Sequence, residues 1–246
     1  MLLSVDHVSK RFGSQDGKVV LDDVSLTVGR GECVGLVGPS GCGKSTLARI
    51  AARLEVPDAG SVTFEGVRIE ASGRLGYRER REVAETWLDM QMVFQNPEAS
   101  FSPFMDIGVA VAEGLAYRSR LSRAEVSQRV RDALASVGLP ESYAAKRPFE
   151  LSGGECQRAA IARAIIGAPR LLICDEPTSS LDATIQFNVM GLLRDLHRER
   201  GIAFLFISHN LPLVADFCQR IYRMEPARIA SEVRPVECAG IDSPVL

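Results

Sequence analysis

The chain has 246 residues, 46% hydrophobic and 24% charged, which is ample for a globular core built as one large domain with a lobe or as two small ones. A formal net charge of −2 excludes a nucleic-acid binder held mainly by bulk positive charge. The longest apolar runs, such as Ile202 to Ile207, are far too short to cross a bilayer, and no charged head precedes an apolar run at the N-terminus, so neither a span nor a signal peptide is expected.

The N-terminal part reads as β-rich. Val20, Leu26 and Val28 with Asp22, Ser25 and Thr27 give the broken alternation of half-buried antiparallel strands. Cys33-Val34-Gly35-Leu36-Val37 is a short continuous apolar run, suited to a strand buried on both faces. It leads into Gly38-Pro39-Ser40-Gly41-Cys42-Gly43-Lys44-Ser45, which fits the phosphate-loop pattern G-x-x-x-x-G-K-[S/T] at every fixed position. Leu47, Ile50, Ala51 and Leu54 then recur at helical spacing. A strand, a glycine-rich turn and a helix in that order set bare backbone N–H groups and a helix N-terminus around a phosphate chain. Glycines are needed where a side chain would block close approach or where φ is positive. Lys44 supplies a point charge for the outer phosphates, and the Ser45 hydroxyl a ligand for Mg²⁺.

Val62, Phe64 and Ile69 resume the strand pattern after a turn at Pro57-Asp58-Ala59-Gly60. Arg68 to Glu85 mixes charges of both signs and reads as a solvated surface segment. Ser122 with Glu125 has capping-box spacing, Val126, Val130, Ala133, Leu134 and Val137 mark one apolar helical face, and Gly138-Leu139-Pro140 ends that helix. The last third alternates strand candidates (Leu171 to Cys174, Ala203 to Ile207) with helical patterns (Ala159 to Ile166, Val189 to Leu196). That order predicts a parallel sheet covered by helices. The six cysteines, Cys33, Cys42, Cys156, Cys174, Cys218 and Cys238, form no C-x-x-C pair and are expected to be reduced and mostly buried, with no metal-ligand spacing among them.

Two further motifs carry chemistry. Leu171-Leu172-Ile173-Cys174-Asp175-Glu176 is an apolar strand ending in two carboxylates, and ligands of open α/β sheets bind at the carboxyl ends of strands. Asp175 there can hold Mg²⁺ directly or through water, and Glu176 can accept a proton from an attacking water. In Leu151-Ser152-Gly153-Gly154-Glu155-Cys156-Gln157-Arg158, Ser152 and Glu155 have capping-box spacing ahead of a helix marked by Ala160, Ile161, Ala164 and Ile165. Gly153 and Gly154 each cost roughly 1 kcal/mol of helix propensity relative to alanine, and expose a bare N-terminus that can meet a phosphate. Two phosphate-grade helix starts with a single lysine-bearing loop suggest two half-sites completed by pairing.

This set resembles the ATP-binding subunit of an ABC transporter, over essentially the whole chain to about Glu225. Gly38 to Ser45 resembles the Walker A loop, with Thr46 next to it in the nucleotide-binding set, and Leu171 to Glu176 resembles the Walker B strand. Leu151 to Arg158 resembles the family signature, usually read L-S-G-G-Q. Gln95 in Val93-Phe94-Gln95-Asn96-Pro97 looks like the Q-loop glutamine, Ser180-Leu181-Asp182 like the D-loop, and His209 in Ile207-Ser208-His209 like the switch histidine. Phe12 sits where the family stacks an aromatic ring on adenine. The resemblance implies an α/β P-loop NTPase (RecA-like) core with a mainly parallel sheet, an N-terminal antiparallel β-subdomain and an α-helical subdomain. The expected division is a single ABC ATPase domain over 1–246. Core and β-subdomain occupy about 1–92 and 160–230, the helical subdomain about 96–158 and a tail about 231–246.

The same resemblance implies ATP and Mg²⁺ as ligands and a head-to-tail dimer. In it one subunit's Walker A and the other's Ser152-Gly153-Gly154-Glu155 sandwich each ATP, with Asp182 alongside. Glu176 would polarise water, His209 contact the γ-phosphate, and Gln95 link Mg²⁺ to the helical lobe, while Lys44 and Ser45 serve phosphate and metal. The partners implied are a second ATPase subunit (a copy or a paralogue), two transmembrane permease subunits and an extracytoplasmic substrate-binding protein, without nucleic acid, at the cytoplasmic face of the membrane. Cys156, Ser180 and Phe12 depart from the frequent glutamine, alanine and tyrosine, and Pro226 stands where a hairpin glycine is usual. Val93 to Pro103, Pro148-Phe149-Glu150 and Leu181 to Gln186 look similar to the oligopeptide, dipeptide and nickel importers, pointing to import of peptides, nickel or a metal–metallophore complex. A non-transport ATPase such as the carbon–phosphorus lyase associated subunit is similar around the same loops. A DNA-repair type would need a long heptad insertion that is missing here, and a pure nucleotide sensor is disfavoured by Glu176 with His209.

Overall fold

A computed structural model describes residues 1–13, 17–69, 83, 86–115, 121–179 and 181–234. The chain divides into two compact units, one made of Met1–Trp87 with Gly201–Leu246, the other of Leu88–Arg200.

In the first unit, β1 (Leu3–Phe12) pairs antiparallel with β2 (Lys18–Val28) on one side and β4 (Ala59–Phe64) on the other, and β5 (Val67–Arg68) extends β4. Val5 aligns with Leu26 and Val62 across the three strands, all fully buried, so the apolar alternation sets the register. The turn ahead of β4 is held by Asp58, whose carboxylate accepts the Arg11 N–H at 2.7 Å. Strand pairing already begins at Ala59, because Gly60 (φ 88) lies so close to the backbone of His7 that any Cβ would collide with it.

The same unit holds β3 (Cys33–Val37) between β8 (Ala203–Ser208) and β9 (Arg220–Glu225), both parallel to it, with β10 (Arg228–Val233) antiparallel to β9. Every residue of β3 and β8 is buried, as expected of strands covered on both faces. One cover is α6 (Leu211–Phe217), whose Val214 occupies the space a Cβ on Gly35 would need. α1 (Lys44–Ala51) follows the phosphate loop and buries Leu47, Ile50 and Ala51. Leu54 does not continue that face: the helix ends at Ala51, Arg53 takes φ 61, and Leu54 is 53% exposed. In the β9–β10 hairpin the left-handed conformation falls on Ala227 (φ 67), one residue after Pro226.

The second unit pairs β6 (Met90–Val93) parallel with β7 (Leu171–Asp175) and adds α-helices. These are α2 (Ile107–Ala112), α3 (Arg123–Ser136), α4 (Gly153–Ile165) and α5 (Ala183–Arg200). The Ser122–Glu125 box caps α3 as its spacing predicts, and Gly138 (φ 69) follows its end. No helix among the described residues is long and apolar enough to cross a membrane.

Most of the charged stretch Arg68 to Glu85, Ser180, and residues 235–246 including Cys238 lie outside the described residues; within the stretch, Ile69 and Val83 are buried. The five described cysteines are free and buried. Burial raises the Cys33 thiol to about 12 and the Cys156 thiol to about 11, so neither forms the reactive thiolate near neutral pH.

Candidate nucleotide site

The phosphate loop is a glycine cradle set by its neighbours. Gly43 has φ 114, and a Cβ on it would lie 2.5 Å from the Val20 carbonyl oxygen and 2.8 Å from Met224 Cε. A Cβ on Gly38 would collide with the Met224 carbonyl. Gly41 (φ 77) faces open space. Two of the three glycines are thus demanded by packing and two by backbone conformation, and they bring the loop's N–H groups to the start of α1 without side chains in the way. The loop is tied to the hairpin behind it through the Ala227 N–H, which donates to the Cys42 carbonyl at 3.1 Å. Lys44 is 5% exposed, and its ammonium donates to the carbonyls of Gly38 (2.8 Å) and Pro39 (2.9 Å) with Cys42 Sγ at 4.0 Å. Among the described residues the charge is held by two carbonyl dipoles and a thiol, weaker partners than a phosphate would be.

Two other expected residues lie in the same unit. His209 follows β8 at its carboxyl end, next to the α6 cap, where Asn210 Oδ1 accepts the Leu213 N–H at 3.2 Å. It lines a cavity of about 300 Å³ with Gly38, Pro39, Leu211 and Arg223. Phe12 ends β1, 46% exposed, with the Lys10 ammonium 5.2 Å from its ring centroid. An exposed ring can take a base on its face.

The second unit brings together Gln95, Glu176 and Ser179. Asp175 ends β7 at 4% exposure, and Glu176 takes φ 46, a left-handed conformation that costs a non-glycine residue of order 1–3 kcal/mol. Ser179 steadies this turn, its N–H donating to the Glu176 carbonyl at 3.2 Å and its hydroxyl at 3.1 Å. Gln95 Nε2 stands 3.5 Å from Glu176 Oε2 and 3.4 Å from Ser179 Oγ, both long for hydrogen bonds. Asp182 caps α5, its Oδ1 accepting the Ile185 N–H at 2.9 Å.

Ser152-Gly153-Gly154-Glu155 opens α4 with a complete capping box. Its two glycines differ. A Cβ on Gly154 would lie 2.6 Å from Ile185 Cγ2, so a larger residue there would make Ile185 or α4 shift. A Cβ on Gly153 would meet nothing closer than Leu181 Cδ2 at 4.0 Å, and Gly153 itself is exposed. Packing explains the second glycine and not the first. Glu155 also accepts from the Tyr143 hydroxyl at 2.5 Å, and these bonds, Tyr143 first and Ser152 next, hold its carboxyl down at about 2. Tyr143 escapes sequence reasoning because it meets Glu155 through tertiary contact and belongs to no motif.

The family profile described as ABC transporter matches residues 21–179. The chain belongs to the ABC transporter family. It is 40% identical over 222 residues to the oligopeptide transport ATP-binding protein OppF of Bacillus subtilis, covering 89% of this chain and 71% of that one. It is 36% identical over 250 residues to the nickel import ATP-binding protein NikE of Brucella suis, covering 99% and 91%. Among solved structures, it superposes on the dimeric ATP-binding cassette MJ0796 bound to ADP and Pi with a TM-score of 0.84, at 28% identity over 95% of this chain and 99% of that one. It superposes on cbiO1 of Clostridium perfringens, part of the transporter complex cbiONQ, with a TM-score of 0.81 at 27% identity, over 98% and 91%. The fold is that of an ABC ATPase cassette, a P-loop core with parallel strands, an antiparallel sheet and a set of helices, and the chain is an ATP-binding and ATP-hydrolysing subunit. Ser45 and Asp175 each carry an oxygen donor of the kind that Mg²⁺ takes.

Proposed function

We propose that this ABC ATPase subunit energises an importer of peptides, nickel or a metal–metallophore complex, working from the cytoplasmic face of the membrane. The observation that carries the reading is the likeness to OppF and NikE across 89% and 99% of the chain together with a buried Lys44 beside a glycine cradle. The names of those relatives favour transport over the carbon–phosphorus lyase reading. The chain would work as a single ABC ATPase domain, paired with a copy or paralogue, two permease subunits and a binding protein outside the membrane.

In this reading Phe12 stacks on adenine while Gly38 to Thr46 wrap the phosphates and Lys44 neutralises the outer ones. Ser45, Asp175 and Gln95 would hold Mg²⁺, which when bound would offset phosphate charge. A water attacks the γ-phosphorus; Glu176 takes its proton and ADP departs, a positioned base being worth ~10²–10⁴ in rate. His209 contacts the γ-phosphate. Ser152, Gly153, Gly154 and Glu155 of a paired subunit cover the nucleotide from the far side with Asp182 beside them, so that phosphate joins two positive helix ends until hydrolysis removes it. Purification of the chain from its own membranes tests the assignment. Co-isolation with two multi-span proteins and uptake of labelled peptide or nickel that stops when the chain is deleted are expected; co-isolation with lyase subunits and unchanged uptake would overturn it.

A further inference from the structure

The capping box at Ser152 carries one bond more than a helix start needs, and the chain supplies its own comparison. At α3, Glu125 Oε2 accepts the Ser122 N–H and hydroxyl, both at 2.7 Å, with no third hydrogen-bond partner among the described residues. At α4, Glu155 Oε2 does the same for Ser152, at 2.8 Å from the N–H and 2.9 Å from the hydroxyl. Its other oxygen, Oε1, accepts from the Tyr143 hydroxyl at 2.5 Å. Both carboxylate oxygens are engaged, so the side chain cannot rotate without breaking a charge-assisted bond.

Tyr143 is itself fixed. It lies on the 3₁₀ helix Glu141–Ala145. The Lys146 ammonium sits 3.7 Å from its ring centroid, and the Lys146 carbonyl accepts the Ile107 N–H at 2.9 Å where α2 begins. Ala144 fills the space over Gly108, whose Cβ would lie 2.9 Å from Ala144 Cβ. The hydroxyl is thus presented from a turn locked onto α2, nine positions before Ser152.

A carboxylate at the third position of a phosphate-binding helix start is an electrostatic hazard, because it competes with the phosphate for Ser152 donors and repels it. We propose that Tyr143 is a positioning residue of the nucleotide site: its hydroxyl pins Glu155 back, which fixes the Ser152 hydroxyl and leaves the start of the helix at the exposed Gly153 clear of the carboxylate. The first N–H groups of a helix have no intrahelical partner, so the one at exposed Gly153 is open to a phosphate. The inference rests on the proposed role of Ser152-Gly153-Gly154 in covering a nucleotide.

The test is a double-mutant cycle of Tyr143→Phe and Glu155→Gln in the complex as purified, reading KM for Mg·ATP, kcat and the pH profile. Tyr143→Phe removes one hydroxyl and keeps the ring under Lys146. With Glu155 intact it should raise KM roughly tenfold with a smaller change in kcat, and move the acid limb of activity upward as Glu155 loses its strongest donor. Tyr143, Ser152 and the Lys146 charge are the groups that act on that carboxyl, so the shift is assignable. In the Glu155→Gln background, where there is no charge to pin, the same substitution should change KM less than about twofold. Equal effects in both backgrounds, or an unchanged KM in Tyr143→Phe beside an active wild type, overturn the inference alone. An inactive wild-type complex removes the functional reading, and the inference with it.

Discussion

Gly153→Ala separates a well-capped helix from a phosphate-binding one. If Gly153 only opens α4, alanine is harmless: its Cβ would meet nothing closer than Leu181 Cδ2 at 4.0 Å, and Gly153 is absent from the positive-φ residues. Alanine even gains up to about 1 kcal/mol of helix propensity, which at this chain length raises Tm by roughly 0–4 °C. If the Gly153 N–H meets a phosphate, the new methyl stands in the approach path. A phosphate oxygen bonds an N–H near 2.9 Å and touches a methyl near 3.5 Å, so the anion is pushed back by a sizeable fraction of an ångström. A misplacement of about 1 Å costs on the order of 10²-fold in rate. The assay pairs a circular-dichroism melt with Mg·ATP hydrolysis by the purified complex. Unchanged or raised Tm with ATPase activity down roughly tenfold to a hundredfold is expected; activity within twofold of wild type would refute the reasoning.

Gly154→Ala should behave oppositely at the level of folding. With Ile185 Cγ2 2.6 Å from the new Cβ, Ile185 or α4 must shift, and a loss of roughly 1–3 kcal/mol in a denaturant titration is expected, where an unchanged midpoint would show that the contact relaxes freely. Lys44→Ala should weaken nucleotide binding strongly, read by titration with a fluorescent ATP analogue, and equal affinity would count against the cradle. The Glu155 carboxyl, held at about 2, is depressed in the folded chain. Its stabilising contribution is therefore complete above the ordinary carboxylate range and lost as pH falls toward 2. The Tm gap between wild type and Tyr143→Phe should be largest near pH 7 and shrink below pH 4.5, and a gap constant down to pH 2.5 would contradict the cause assigned.

What the sequence made legible was local. Cys33 to Val37 reads as a fully buried strand because five apolar residues run without a polar break, and both serine–glutamate boxes read as helix starts because their bonds span only three residues. Leu54 misled because helical periodicity continues past the residue where Arg53 turns the chain out. The Pro226 departure was visible, yet which residue takes the left-handed conformation depends on hairpin geometry, and Ala227 takes it. Gln95 near Glu176, Tyr143 on Glu155 and Ile185 against Gly154 were out of reach, since no periodicity in the chain encodes which tertiary neighbours a motif meets.

The central claim, that ATP joins two copies of this fold, is met most directly by weighing the Glu176→Gln protein with its companion subunit by sedimentation equilibrium, with and without saturating Mg·ATP. The account predicts a paired species with ATP that dissociates when ATP is replaced by ADP. Single cassettes at saturating Mg·ATP, or pairing indifferent to the nucleotide, would contradict it.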